Sequence, residues 1–143
     1  MGCRTRRDVV KLAIGAGFLA CAGCGGGGDP GSTTAIAAGK VADYSVGALL
    51  SFASWSLFVG RDAGGLYAMS SLCTHQGCDM AGVTTATGPY CGCHGSQFTA
   101  TGSVVAGPAR SALPHYAVNV DPATGAVTVD GTTPVAQSTR TAV

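Results

Sequence analysis

Short apolar segments separated by turns that contain Gly and Asp characterise the chain from residue 40 onward. Segments 56–59 (SLFV) and 66–69 (LYAM) flank a turn with consecutive glycines, which adopt positive φ without steric cost. Segments 117–120 (AVNV) and 126–129 (AVTV) flank the turn-forming residues 121–125 (DPATG), which predicts a second hairpin. No stretch sustains the spacing of an amphipathic helix. The pattern therefore predicts an all-β domain with a hairpin near each end.

The first 24 residues have the layout of an export signal. Arg6 and Arg7 precede an apolar run over 12–22, about half as long as the roughly 20 residues that a membrane-spanning helix needs. The segment TRRDVVK also resembles the twin-arginine export motif, whose machinery moves folded, cofactor-loaded proteins. We therefore expect residues 1–24 to be a signal and the mature protein to be periplasmic.

A lipid-anchoring site is predicted at the end of the apolar run. Ala22, Gly23 and Cys24 resemble a lipoprotein processing site, in which Cys24 becomes the lipidated first residue. Processing at Cys21 and ordinary cleavage without a lipid are the alternatives. Lipidation would hold the protein at the periplasmic side of the cytoplasmic membrane. Residues 25–39 are rich in Gly, Ser and Thr, which predicts a flexible linker.

The remaining boundaries follow from the same patterns. Residues 40–131 contain the strand-like segments and are expected to form the folded domain, whereas residues 132–143 are polar and are expected to be a flexible tail. Trp55 is expected in the core or at its rim, without a functional role. His115 is expected to be a solvated histidine at the end of a strand.

Length and charge restrict the function. The chain has 143 residues, which is enough for one modest domain after removal of a leader. Its seven acidic residues, all Asp, nearly balance eight Lys and Arg, giving a formal charge of +1. A nearly neutral chain has no field suited to a polyanion, so nucleic acid is not an expected partner.

Four cysteines and two histidines are concentrated in two short boxes. These residues are Cys73, His75, Cys78, Cys91, Cys93 and His94. Each box offers a thiolate and an imidazole, and zinc would accept both, although zinc fingers usually place two cysteines in one arm and two histidines in the other. In a Rieske cluster two imidazoles replace two thiolates on one iron of a [2Fe-2S] unit, which suits mixed boxes. A zinc-stabilised interaction module and a domain held by disulfides alone remain open.

The boxes CTHQGC (73–78) and CGCHGSQF (91–98) resemble those of the Rieske iron-sulfur proteins. The resemblance extends over about residues 40–131 and includes the segment 107–109 (GPA), at the place of the family's proline loop over the cluster. It implies a small β-sandwich or barrel with a cluster-binding subdomain formed by two loops.

The resemblance also assigns roles within the boxes. Cys73 and Cys91 would bind one iron of a [2Fe-2S] cluster, and His75 and His94 would bind the other. Cys78 and Cys93 would form a disulfide between the two loops. Rieske ferredoxins of oxygenase systems usually lack this second cysteine pair, so its presence favours the cytochrome bc complex type and the arsenite oxidase small-subunit type.

Four further residues are expected to tune the cluster. Ser96 matches the family serine that donates a hydrogen bond to a bridging sulfide, and Pro108 belongs to the covering loop. Gly95 lets the backbone approach the cluster. Phe98 stands where high-potential members have a tyrosine that donates to a cysteine sulfur. Since one donor is missing, we expect a potential below that of typical quinol-oxidising members.

The implied function is one-electron transfer rather than catalysis by the chain alone. We expect an exported, membrane-associated subunit of a respiratory or periplasmic oxidoreductase, whose partner is a cytochrome or a catalytic subunit, with quinol as a further candidate donor. The alternatives are a stand-alone Rieske ferredoxin that serves an oxygenase and the zinc-stabilised interaction module.

Overall fold

A computed structural model describes residues 35–143 of the chain. The predicted signal over 1–24, the lipidation site at Cys24 and most of the predicted linker lie outside the described residues. The described part of the chain contains no helix of sufficient length and hydropathy to cross a membrane.

Residues 35–143 contain ten β-strands and two short 3-10 helices, which confirms the all-β prediction. The 3-10 helices span Val41–Asp43 and Ala53–Trp55. The strands are β1 (Ala35–Lys40), β2 (Leu49–Phe52), β3 (Leu57–Asp62), β4 (Gly65–Ser70), β5 (Thr84–Thr85), β6 (Gly88–Pro89), β7 (Gln97–Phe98), β8 (Val104–Ala106), β9 (His115–Val120) and β10 (Ala126–Val135).

Six of the strands form one antiparallel sheet in the order β1-β10-β9-β4-β3-β2. The predicted hairpins are its β3-β4 and β9-β10 pairs. The short strands form two separate ladders, β5-β6 and β7-β8, which belong to the long insertion between β4 and β9. This insertion contains both cysteine and histidine boxes, so the two ends of the box-containing segment are anchored in the sheet.

Strands β3 and β4 are buried on both faces, and β4 leads directly into the insertion. Leu57, Val59 and Leu66 point into a core formed with β1, β9 and β10. Phe58 and Met69, at alternate positions of the same strands, point into a second core under the insertion. Side chains of a strand alternate between its two faces, so one hairpin serves both cores.

The first strand begins earlier than the sequence pattern indicated. Residues 35–39 were expected in the linker, but they pair with β10 and bury Ile36 and Ala38. The small residues of this segment show no clear alternation of apolar and polar positions, so its sequence does not predict a strand. The strand forms because its backbone pairs with β10.

The C-terminal residues 132–143 were expected to be a flexible tail, and the structure places them against the body. Strand β10 runs into this segment, and Thr141 forms a β-bridge with β4. Arg140 donates to the carboxylate of Asp62 at 2.6 Å and lies over the ring of Tyr67, 4.5 Å from its centroid. The polar composition of residues 132–143 does not indicate these contacts, because a single charged side chain can anchor a segment that buries little apolar area.

His115 was expected to be solvated, but it is only 3% exposed and lies beside the second core. Its Nδ1 lies 2.9 Å from the carbonyl oxygen of Leu113, and its Nε2 has no partner among the described residues. Burial lowers the pKa of His115 below its ordinary 6.5, because the charged form loses hydration.

His115 therefore makes stability depend on pH on the acid side. Below the ordinary pKa of 6.5 the unfolded chain binds a proton that the folded chain resists, so the free energy of unfolding falls as pH decreases. We expect His115→Gln, which does not titrate, to flatten that part of the curve in urea titrations from pH 7.5 to pH 5. Parallel curves for the two proteins would contradict a buried, neutral His115.

Candidate metal centre

Each box is a short loop closed at its base by an isolated β-bridge. Leu72 pairs with Asp79 around the first box, and Tyr90 pairs with Gln97 around the second. The first loop follows β4 and the second joins β6 to β7, so both loops are anchored on the side of the sheet that carries the insertion.

The first loop, residues 73–78, is held by two backbone hydrogen bonds of its own. The N–H of Cys73 donates to the carbonyl oxygen of Cys78 at 2.8 Å, and the N–H of Gly77 donates to that of Cys73 at 2.8 Å. Gly77 has φ of +74°, the left-handed region that favours glycine. The turn therefore depends on a glycine at this place.

The second loop, residues 91–96, repeats this pattern. The N–H of Cys91 donates to the carbonyl oxygen of Ser96 at 2.8 Å, and the N–H of Gly95 donates to that of Cys91 at 2.9 Å. Gly95 has φ of +79°. The two loops are thus copies of one turn, with a cysteine first and a glycine fifth. The shared Cys-x-x-x-Gly spacing is the signal from which Gly77 could have been identified in the sequence.

The two loops bring the imidazole rings of His75 and His94 together. His75 is third in its loop and His94 is fourth, and their ring centroids lie 4.8 Å apart with the planes at 87°. His94 is exposed and His75 is half-buried. The Nδ1 atom of His75 is buried and has no hydrogen-bond partner among the described residues, which leaves it available to bind a metal.

The cysteines divide into a bonded pair and a free pair. Cys78 and Cys93 form a disulfide with Cα atoms 6.6 Å apart, which is the pairing that the resemblance implied. Cys73 and Cys91 are free and buried. The Sγ atom of Cys91 lies within 4.8 Å of both disulfide sulfurs, so the disulfide lies directly beside a potential ligand.

The surroundings of Cys73 favour its thiolate. Burial raises the pKa of the Cys73 thiol, but donors around its sulfur outweigh burial and leave the pKa below its usual value. These donors include the backbone N–H of His75 and the side chains of Cys91 and Ser96. The thiolate is the form of cysteine that binds metals, so these donors favour Cys73 as a metal ligand.

A third loop, residues 107–111, packs against both boxes. The buried hydroxyl of Ser96 accepts a hydrogen bond from the N–H of Ala109 at 3.1 Å. Gly107 lies so close to the second box that an added Cβ would come within 2.5 Å of the Cα of Ser96. Pro108 is exposed between these contacts, beside His75. Phe98 is fully buried in the same core as Cys73 and Cys91.

Asp79, which no sequence pattern marked, connects the first loop to the segments that flank β3 and β4. The carboxylate of Asp79 accepts hydrogen bonds from the hydroxyls of Ser56 and Ser71 and from the N–H of Ala81. Burial raises the pKa of Asp79, but these donors outweigh it and hold the pKa below its usual value. An aspartate next to a cysteine gives no signal of such a role, because Ser56 lies 23 residues earlier and only the fold brings it to Asp79. Trp55, one residue before Ser56, is 59% exposed and lies at the rim.

The donor set fits an iron-sulfur cluster. Two buried thiols and two adjacent imidazoles, one with an unpartnered nitrogen, supply the mixed ligands of an [2Fe-2S] unit with histidines on one iron. The same four donors would accept zinc, so the donor set alone does not choose between the two metals.

The family model for the Rieske [2Fe-2S] domain matches residues 34–117 of the chain. The chain belongs to the Rieske family. Membership selects the [2Fe-2S] cluster over zinc and makes this protein a one-electron transfer protein. The matched range contains both boxes, the third loop and every strand from β1 to β8.

Relatives of this Rieske protein include iron-sulfur subunits of cytochrome b6-f complexes. It is 34% identical over 138 residues to the cytochrome b6-f complex iron-sulfur subunit of Prochlorococcus marinus (strain NATL1A), covering 85% of this chain and 78% of that protein. The subunit of Synechococcus sp. (strain WH7803) is 45% identical over 62 residues, which cover 43% of this chain. The match spans 35%, about a third, of the length of that relative.

Solved structures agree with the fold of this Rieske protein. The cyanobacterial plasma membrane Rieske protein from Synechocystis PCC 6803 matches with a TM-score of 0.52 and 31% identity, over 66% of this chain and 97% of that chain. A chain of the complex of oxygenase and ferredoxin in carbazole 1,9a-dioxygenase matches with a TM-score of 0.53, over 73% of this chain and 100% of that one. Its identity is 23%, so that likeness concerns the fold alone.

Proposed function

We propose that this Rieske protein is the electron-transfer subunit of a membrane-associated respiratory or periplasmic oxidoreductase. It receives single electrons from a quinol or a catalytic subunit and passes them to a cytochrome or a similar acceptor. The disulfide between Cys78 and Cys93 is the observation that carries this proposal, because such bonds persist in oxidising compartments outside the cytoplasm. The similarity to cytochrome b6-f subunits supports it.

Within the site, Cys73 and Cys91 would hold one iron and His75 and His94 would hold the other. When bound, the cluster supplies reversible one-electron chemistry. The buried cysteines keep one side of the site away from water, whereas the exposed His94 offers the short path on which electrons enter and leave.

The ligand set is tested by matched substitutions. We expect Cys73→Ser and His94→Leu to lose the red-brown colour and the rhombic electron paramagnetic resonance signal of a Rieske cluster, because each removes one of four ligands. The control is His115→Gln, which changes the remaining histidine and lies outside both loops. Retention of the full signal in a ligand variant that is folded by circular dichroism would reject that ligand.

The cluster potential is set by donors near the sulfurs, and Phe98 is the position that lowers it. Its ring is completely buried with Cys73, Cys91 and Met80, so a hydroxyl added there would face protein rather than water. We expect Phe98→Tyr to raise the midpoint potential by about 50–100 mV, since one added hydrogen bond favours the reduced, more negative cluster. Phe98→Leu, which adds no donor, is the control. A lowered or unmoved potential in Phe98→Tyr, with the spectrum intact, would reject this account of tuning.

Export and anchoring are tested by cell fractionation. We expect Arg6→Lys combined with Arg7→Lys to leave the protein in the cytoplasm, because the twin-arginine machinery reads that pair. Cys24→Ala should move the protein from the membrane fraction to the soluble periplasm, whereas Cys21→Ala should not. An unchanged distribution of the Cys24→Ala variant would contradict the lipid anchor at this residue, and an unchanged distribution of the arginine variant would contradict the export route.

A further inference from the structure

The third loop, residues 107–111, is held in a fixed position beside His75. One of its residues, Ala109, is buried and donates its N–H to the hydroxyl of Ser96. At its other end the carbonyl oxygen of Ser111 accepts a hydrogen bond from the hydroxyl of Thr74 at 2.6 Å. The loop is thus bonded to both cluster-binding loops, and the residue between Ala109 and Ser111 has little freedom to move relative to them.

That residue is Arg110, and its side chain is exposed. Outside the cysteines and histidines of the two boxes, Asp79 and Arg110 are the only charged side chains within residues 71–112. The carboxylate of Asp79 is satisfied by two serine hydroxyls and a backbone N–H. Among residues 35–143 the only ion pair joins Arg140 to Asp62, so Arg110 has no acidic partner in the described part of the chain.

Arg110 and His75 line the same open cleft, which has a volume of about 410 Å³. The other lining residues, Thr74, Gly107, Pro108 and Ser111, are uncharged. A guanidinium in this cleft gives the electron-exchanging end of the molecule a positive charge that does not titrate at physiological pH, on a backbone held in place by its neighbours.

We propose that Arg110 is a docking residue that binds a carboxylate on the redox partner protein and thereby seats the partner against His75. A guanidinium binds a carboxylate in a bidentate manner, which fixes direction as well as distance. On a docking surface with one charge, a single pair sets the orientation of the complex and speeds the encounter. The inference rests on the proposed function, because it takes the histidine end as the place where electrons leave.

Small redox reagents of opposite charge test the local field without knowledge of the partner. The full-length, cluster-loaded protein is reduced and mixed in a stopped-flow instrument with anionic hexacyanoferrate(III) or cationic tris(phenanthroline)cobalt(III). At an ionic strength of about 10 mM, where screening is weak, we expect Arg110→Gln to slow oxidation by the anion about three- to tenfold and to speed oxidation by the cation. High salt should remove both effects.

Lys40→Gln is the matched control, since it removes the same charge from an exposed residue at the end of β1, outside the cluster-binding insertion. It should change both rates much less. Arg110→Lys should retain most of the wild-type rates, because it keeps the positive charge. Equal effects of Arg110→Gln and Lys40→Gln would mean that only net charge matters and would overturn the inference.

Binding is measured separately with hexacyanocobaltate(III), which does not exchange electrons with the protein. Its cobalt nuclear magnetic resonance line should broaden with the wild-type protein and with Lys40→Gln, and much less with Arg110→Gln. Equal broadening by all three proteins would overturn the inference. An absent Rieske signal in loaded wild-type protein would instead count against the proposed function, so the two failures are distinguishable.

Discussion

The structure depends on a single hairpin whose strands are buried on both faces. Strands β3 and β4 contribute alternate side chains to the core of the six-stranded sheet and to the core beneath the metal centre. A register shift of one residue in either strand would exchange the two sets and disrupt both cores at once. Because Met69 and Phe58 support the same core as Cys73 and Cys91, the position of the ligands follows from the register of this hairpin.

On this base, two copies of one turn produce an asymmetric site. Both loops place a cysteine first and a left-handed glycine fifth, and they differ in what stands third and fourth. His75 and Cys93 occupy the third position, and Gln76 and His94 occupy the fourth. The disulfide uses Cys93 on one side, which leaves the two histidines adjacent at the exposed end. The thiols remain buried, so the centre has a dry side and an accessible side.

The sequence predicted the features that depend on residues close together in the chain. Turn glycines identified the β3-β4 and β9-β10 hairpins, and the resemblance of the boxes implied the disulfide that the structure contains. The failures concern contacts between distant segments. Residues 35–39 are ordered by β10, the C-terminal segment is anchored by the pair of Arg140 and Asp62, and His115 is covered by the insertion. No spacing within these segments reveals their partners.

The central claim is that the paired loops hold a Rieske [2Fe-2S] cluster on two cysteines and two histidines. A redox titration of the full-length, cluster-loaded protein, followed by electron paramagnetic resonance, tests it directly. The account predicts a rhombic Rieske signal that appears on one-electron reduction, at a midpoint potential within the Rieske range of roughly −150 to +300 mV. The absence of a rhombic signal in properly loaded protein would contradict the cluster.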